Sequence, residues 1–290
     1  MEICVEAYAK INLTLDVLGK RPDGYHQVET ILQSVGLRDR VLVRRGGTGI
    51  QIRCGRAGVP CDQRNTAYRA AEAFFRVSGL PPEGLEIEIQ KRIPMEAGLA
   101  GGSADAAAVL LAMDRLFQTG LDDETLCQAA LQVGADVPFC LTGGTMLGEE
   151  TGGVLTPLAP LPSCCLLLAK PWGGVPTAAA YAAVDNAPVL HHPHTARAAE
   201  ALAQGDLHRV ASLCANVFEE VLRREDVRRI RGTMMEHGAM GACMSGSGPT
   251  VFGFFDSVTA AKHCRRALES GQTEVFLCEP VARGCLVAEA

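Results

Sequence analysis

From residue 3 to residue 17 the chain alternates. Ile3, Val5, Ala7, Ala9, Ile11, Leu13, Leu15 and Val17 take the odd positions, and Glu6, Lys10, Asn12, Thr14 and Asp16 the even ones. A period of two predicts a strand, or two in series, with one buried face. It puts Lys10 and Asn12 together on the polar face. Arg21-Pro22-Asp23-Gly24-Tyr25-His26 predicts a turn. Residues 41–43 and 50–53, around Arg45-Gly46-Gly47-Thr48-Gly49, predict a hairpin. Residues 65–77 carry Ala67, Ala70, Ala71, Phe74 and Phe75 at helical spacing, and residues 85–89 alternate again. That strand runs through Lys91-Arg92-Ile93-Pro94 into Glu96-Ala97-Gly98-Leu99-Ala100-Gly101-Gly102-Ser103. Residues 104–117 predict a helix opened by Ser103, with Val109, Leu110, Met113, Leu116 and Phe117 as its apolar face. A further helix over 123–133 ends at Gly134.

The Pro-rich run from Thr156 to Pro162 marks a boundary, giving domains 1–156 and 157–290. Beyond it the pattern predicts strands at 164–169, 250–255 and 273–278, and helices near 195–204, 206–223, 225–237 and 257–269. Helices between strands predict an α/β architecture with a helix-backed sheet.

Composition narrows the function. The chain has 290 residues and a net charge of −6, which argues against a nucleic-acid or membrane-surface partner. The N-terminal residues lack a basic region followed by an apolar block, so the expected location is cytoplasmic. The twelve cysteines contain no CxxC and are expected to be reduced thiols used as small core hydrophobes. His191, His192 and His194 share a Pro-containing loop and are not expected to form a functional metal site.

The glycine-rich stretch carries chemistry. Glycines let backbone N–H groups approach an anion, and the following helix points its unpaired N–H donors at the same place. A triphosphate suits such a site. The stretch is neither GxxxxGK[ST] nor GxGxxG, so it is neither a Walker loop nor a Rossmann fingerprint. On the glycines alone, a connection that merely packs a helix on a sheet is an equal alternative.

Pro94-x-x-x-Gly98-Leu99-x-Gly101-Gly102-Ser103-Ala104 resembles the phosphate loop of the GHMP kinases. Residues 7–13 (Ala-Tyr-Ala-Lys-Ile-Asn-Leu) resemble that superfamily's first motif, and residues 241–253 its third. Arg21-x-Asp23-Gly24-Tyr25-His26 and the Gly-Ala-Asp-Val-Pro-Phe run at 134–139 are similar to one branch. That branch phosphorylates the 2-hydroxyl of a cytidine-diphosphate-linked methylerythritol in non-mevalonate isoprenoid synthesis. The matches span residues 7 to 253.

The resemblance implies two α/β domains, a ribosomal-protein-S5-like one and a ferredoxin-like one, with the site in the cleft between them. It implies ATP with Mg²⁺, Lys10 and Asp136 as catalytic pair, and Ser103 as a possible Mg²⁺ contact. It sets Asn65 near the adenine. Pro94, Met95, Glu96, Ala97, Gly98, Leu99, Ala100, Gly101, Gly102, Ser103 and Ala104 would surround the triphosphate. Asn12, Tyr25, His26, Thr177 and Tyr181 would take the cytidyl substrate, the two tyrosines flanking the base. The implied state is monomer or homodimer. A homoserine- or mevalonate-type kinase and a non-catalytic ligand-binding relative remain open.

Taken alone, Lys10 also reads as a solvated strand lysine and Asp136 as a turn or N-cap carboxylate. The Gly246-Ser247-Gly248 turn reads as a structural close approach near the loop. Glu96-Ala97 and Ala100 stand where more glycine is the family pattern, and Ala104-Asp105 where Ser often follows Ser103. Alanine fits there if its φ is negative, and Glu96 fits if it points outward.

Overall fold

A computed structural model describes residues 2–187, 190–269 and 272–288. The chain runs β1 (Glu2–Lys20), β2 (His26–Arg45), β3 (Ile50–Cys54), α1 (Thr66–Ser78), β4 (Leu85–Gln90), α2 (Gly101–Phe117), α3 (Asp123–Val133), α4 (Val137–Thr142), β5 (Thr145–Glu149) and β6 (Val154–Pro157). It continues through β7 (Cys165–Pro171), α5 (Thr177–Asp185), α6 (Thr195–Ala203), α7 (Leu207–Leu213), β8 (Ala215–Asn216) and α8 (Val217–Leu222). It ends with α9 (Glu225–Glu236), β9 (Gly241–Met244), β10 (Val251–Phe255), α10 (Val258–Leu268), β11 (Thr273–Cys278) and β12 (Cys285–Val287).

The first sheet has the order β12-β1-β2-β4-β3, with β5 on β2, β6 on β5 and β8 on β1. The predicted hairpin over 41–53 does not form. β4 lies between its two arms, antiparallel to β2 and parallel to β3. The glycines of the 45–49 connection marked a chain reversal, but pairing went to a strand that arrives later.

α2 is the central helix. Ala104, Ala106, Ala107, Ala108, Val109, Leu110, Ala112 and Met113 are all fully buried, more than one face can supply, as in a helix enclosed by protein. Small side chains let β1, β2 and α1 come close around it. The odd residues of β1 supply the other side of this core.

The even face of β1 departs from expectation. Lys10, Asn12, Thr14 and Asp16 are buried too, although the alternation reads as one solvated face. The C-terminal half covers them. β8 pairs with Thr14 and Leu15, and Thr195 donates a hydrogen bond to the Thr14 hydroxyl. β8 also splits the predicted helix 206–223 into α7 and α8. Asn216 makes that break, capping α8 through Phe218 N–H while its amide donates to the Met244 and Gly246 carbonyls.

The second sheet has the order β11-β7-β10-β9, every neighbour antiparallel. With α9 before β9 and α10 before β11, this is the split βαβ ferredoxin-like arrangement. β12 returns to the first sheet beside β1, so a cut at 156/157 leaves both β8 and β12 outside the sheet they complete. Among the described residues no helix is long and apolar enough to cross a membrane.

Candidate active site

A cleft of about 600 Å³ opens between the two sheets, lined by β1, β2, the 94–102 loop, α4's N-terminus and the 175–181 and 246–247 segments. That volume suits a small-molecule site. The structure brings Lys10, Asn12, Asn65, Pro94 to Gly102, Asp136, Thr177 and Tyr181 to this one cleft. Ser103, Ala104, Tyr25 and His26 do not line it.

Lys10 and Asp136 meet there, Nζ to Oδ2 at 3.9 Å, with side chains 6% and 42% exposed. Asp136 sits at the N-cap of α4 but makes no side-chain cap bond. Its carboxylate is therefore free to face the lysine. Lys10 Nζ also donates to Asn12 Oδ1 at 2.7 Å, and Asn12 Nδ2 to the Thr30 hydroxyl at 2.8 Å. Thr30 in turn donates to the Thr14 carbonyl at 2.6 Å. This chain fixes the ammonium's direction, and bulges between β1 and β2 beside Ala9 and Thr14 re-aim the strand locally.

α2 begins at Gly101, two residues earlier than the sequence indicates, with Ala100 at its N-cap in a left-handed conformation (φ 54°). Ser103 therefore lies within the first turn, and its hydroxyl has no hydrogen-bond partner among the described residues. The negative-φ condition fails at Ala100, and Glu96 likewise takes a left-handed φ of 49°. These are strained conformations for residues with a Cβ, costing roughly 1–2 kcal/mol each. Ala100→Gly is accordingly expected to raise stability by about 0.5–1 kcal/mol, the relief exceeding glycine's unfolded-state entropy. Urea unfolding checks this; a lower midpoint refutes it. Glu96 is exposed and packs over Gly174, where an added Cβ would fall 2.3 Å from its carboxylate oxygen, but it still lines the cleft.

The Gly246-Ser247-Gly248 turn seats the loop. Ser245 Oγ donates to the Gly98 carbonyl at 2.9 Å, Lys10 N–H donates to the Leu99 carbonyl, and Asn12 N–H to Ser245 Oγ. A Cβ on Gly98 would fall 2.0 Å from the Ser245 carbonyl oxygen, and one on Gly246 would fall 3.0 Å from the Gly98 carbonyl oxygen.

Asn65 caps α1 through Ala67 N–H and donates to the Pro60 carbonyl, so both side-chain ends are already engaged. Tyr25 is 67% exposed and stands outside the cleft. His26 instead stacks on Tyr181, centroids 4.5 Å apart, and bonds Asp185 at 2.7 Å. The Tyr181 edge meets Phe218 at 5.0 Å, and burial pushes its hydroxyl up to about 12, so the ring stays neutral. Thr177 lies 3.3 Å from the Ser247 hydroxyl.

Sequence reasoning missed Thr30, whose side chain is buried on β2 beside Asn12. It also missed Asp39, Lys91 and Asp105, which touch only through the fold. The three loop histidines diverge: His191 bonds Glu220 and His192 bonds Asp16. Among the described residues no group of three or more His, Cys, Asp or Glu could hold a metal.

Two family models match this chain, GHMP kinases N terminal domain over residues 65–144 and GHMP kinases C terminal over 198–272. A Clostridium novyi 4-diphosphocytidyl-2-C-methyl-D-erythritol kinase is 42% identical over 93% of this chain and 97% of its own. A Clostridium kluyveri relative of the same name is 40% identical over 96% and 99%. A crystal structure of 4-(cytidine 5'-diphospho)-2C-methyl-D-erythritol kinase superposes with a TM-score of 0.80 at 34% identity, covering 97% of this chain and 99% of that one. A Cytophaga hutchinsonii homoserine kinase has the same fold, with a TM-score of 0.77 at 22% identity over 99% and 97%.

Proposed function

The chain belongs to the 4-diphosphocytidyl-2-C-methyl-D-erythritol kinases of the GHMP superfamily, and from that premise we propose how its cleft transfers phosphate. It is an ATP-dependent kinase. It phosphorylates the 2-hydroxyl of 4-diphosphocytidyl-2-C-methyl-D-erythritol, giving the 2-phosphate and ADP. Asp136 accepts the hydroxyl proton as the acceptor oxygen bonds to the γ-phosphorus and the bridging oxygen leaves with ADP. Lys10 stabilises the negative charge that develops beside it. The loop amides and the first turn of α2 hold the triphosphate. One observation carries this reading: a buried ammonium, fixed by Asn12, faces a carboxylate that no helix cap consumes.

Mg²⁺ fits this donor set as a nucleotide-borne ion, since it keeps most of its ligands as phosphates and water. Ser103 does not line the cleft in this structure; its unengaged hydroxyl, in the first turn of α2, is the protein contact proposed for the ion, which would neutralise phosphate oxygens. For the cytidyl group, Tyr25 offers an exposed ring face outside the cleft that Thr177 and Tyr181 line.

An ADP-release assay tests the substrate. Turnover is expected with the cytidyl alcohol and not with homoserine or mevalonate; preference for either of those overturns the assignment. Tyr25→Ala is expected to weaken the cytidyl substrate by about 1–3 kcal/mol, the worth of base–aromatic stacking, with ATP affinity unchanged. If ATP weakens instead, the two pockets have been exchanged.

A further inference from the structure

The residues proposed to meet the cytidyl group hang on a carboxylate that the mechanism does not use. Asp185, the last residue of α5, accepts a hydrogen bond from His26 Nε2 at 2.7 Å and lies 3.5 Å from the Lys20 ammonium. Lys20 ends β1 and His26 opens β2, and the two are paired across the ladder. One carboxylate therefore holds both stems of the 21–25 turn, which carries Tyr25. The turn is braced within itself by Arg21 N–H to the Tyr25 carbonyl and Gly24 N–H to the Arg21 carbonyl. Arg21 also reaches Glu150 at 3.3 Å.

The side of α5 that meets the turn is regular. Thr177, Tyr181 and Asp185 recur every four residues and so share one face of the helix. Thr177 meets Ser247 beside the phosphate loop, the Tyr181 ring stacks on His26, and Asp185 takes the His26 Nε2. Ala180 and Val184 are the buried positions that anchor the helix. Asp185 itself does nothing for helix stability. Its charge faces the negative pole of the helix dipole, and no basic residue lies in that last turn. A residue that runs against local preference in this way is the mark of a position set for another task.

The bond to Asp185 also fixes the imidazole. A carboxylate only accepts, so Nε2 carries a hydrogen in the neutral and the charged ring alike. Nδ1 has no hydrogen-bond partner among the described residues. The ring lies at 22° to the plane of Tyr181 and is 11% exposed. The same hydrogen bond, ahead of the Lys20 charge, holds the Asp185 carboxyl below the usual carboxylate range. Tyr25 has no such packing: at 67% exposure its ring gets its direction from the backbone that carries it. We propose that Asp185 is a positioning residue for the cytidyl half of the substrate, fixing the His26 imidazole against Tyr181 and aiming the adjoining Tyr25 ring without touching the base. A ring face held in place beforehand binds a base at a lower ordering cost than a free loop does.

This inference rests on the cytidyl reading for its ligand. The test uses the full chain with Asp185→Leu, which has no acceptor, and Asp185→Asn, whose carboxamide oxygen still accepts from Nε2. In Asp185→Leu the KM for the cytidyl alcohol and the dissociation constant of cytidine diphosphate are expected to rise at least about tenfold, the scale of a lost hydrogen bond to a charged group. The kcat at saturation and the ATP affinity stay near wild type, as when binding and not chemistry is lost. Asp185→Asn recovers most of the loss. Nitrogen-15 spectra of the His26 ring, assigned by their absence from His26→Phe, give a second readout. The wild type shows a hydrogen-bearing Nε2, and Asp185→Leu moves the ring toward the tautomer mixture of a free histidine. An unchanged KM in Asp185→Leu, or a ring spectrum that Asp185→Leu does not move, overturns the proposal. Equal weakening of ATP and the cytidyl alcohol with a lower melting temperature also overturns it, since that is a purely structural role. A wild-type chain that turns over no cytidyl alcohol, yet loses the Nε2 signature in Asp185→Leu, would overturn the substrate reading and leave the clamp standing.

Discussion

Asp136→Asn is expected to lower kcat by about 10² or more, on the scale of a lost general base, while ATP and cytidyl-substrate affinities stay near wild type. The substitution keeps the shape of the side chain and removes its capacity to accept a proton as a carboxylate does. It should leave the fold intact, because Asp136 makes no side-chain cap bond to α4 and its exposure is 42%. Backbone contacts at this position, such as Cys140 N–H to the Asp136 carbonyl, do not depend on the side chain. The lysine opposite stays fixed by Asn12, so the measured change isolates the carboxylate's role. Steady-state kinetics with a nucleotide titration check it. Turnover near wild type would remove Asp136 from the chemistry, and a large loss of ATP affinity would make it a binding group instead.

The second large effect concerns the seat of the loop. Gly98→Ala should cost stability by about 2–4 kcal/mol and raise the ATP dissociation constant at least about tenfold, from a disfavoured left-handed alanine plus overpacking. Gly98 has φ 74°, and an added Cβ would lie 2.0 Å from the Ser245 carbonyl oxygen. That neighbour is backbone, braced by Asn216, and cannot swing aside as a flexible side chain would. The loop must move away from the turn, which breaks the Ser245-to-Gly98 hydrogen bond and shifts the amides that face the phosphates. Denaturant unfolding and ATP binding measure the two parts separately. Wild-type values for both would mean the 245–248 turn does not position the loop.

Much of the site was legible locally. Alternation put Lys10 and Asn12 side by side on β1, and the glycine run before an Ala-rich helix marked the loop proposed to hold the triphosphate. The start of that helix was misplaced by two residues because glycines carry little helix signal, although α2 begins with two of them. The 41–53 hairpin failed for a different reason. A turn composition fixes where the chain reverses, but β4 competes for the same strand edges from more than thirty residues downstream. The Asp39–Lys91–Asp105 cluster had no local signature, since each residue reads as an ordinary surface charge.

The amino-acid order by itself determined the periodic segments, the anion-ready loop and the residue types able to move a proton. Tertiary structure alone decided that both faces of β1 are covered over residues 9–17 and which carboxylate faces Lys10. It also decided which of two buried aspartates on Lys91 keeps a carboxylate oxygen without a partner among the described residues. The reason is physical: periodicity and turn chemistry are set by neighbours a few residues away. Burial and charge balance depend on what the C-terminal half lays over the N-terminal sheet, and no short window of sequence contains both surfaces.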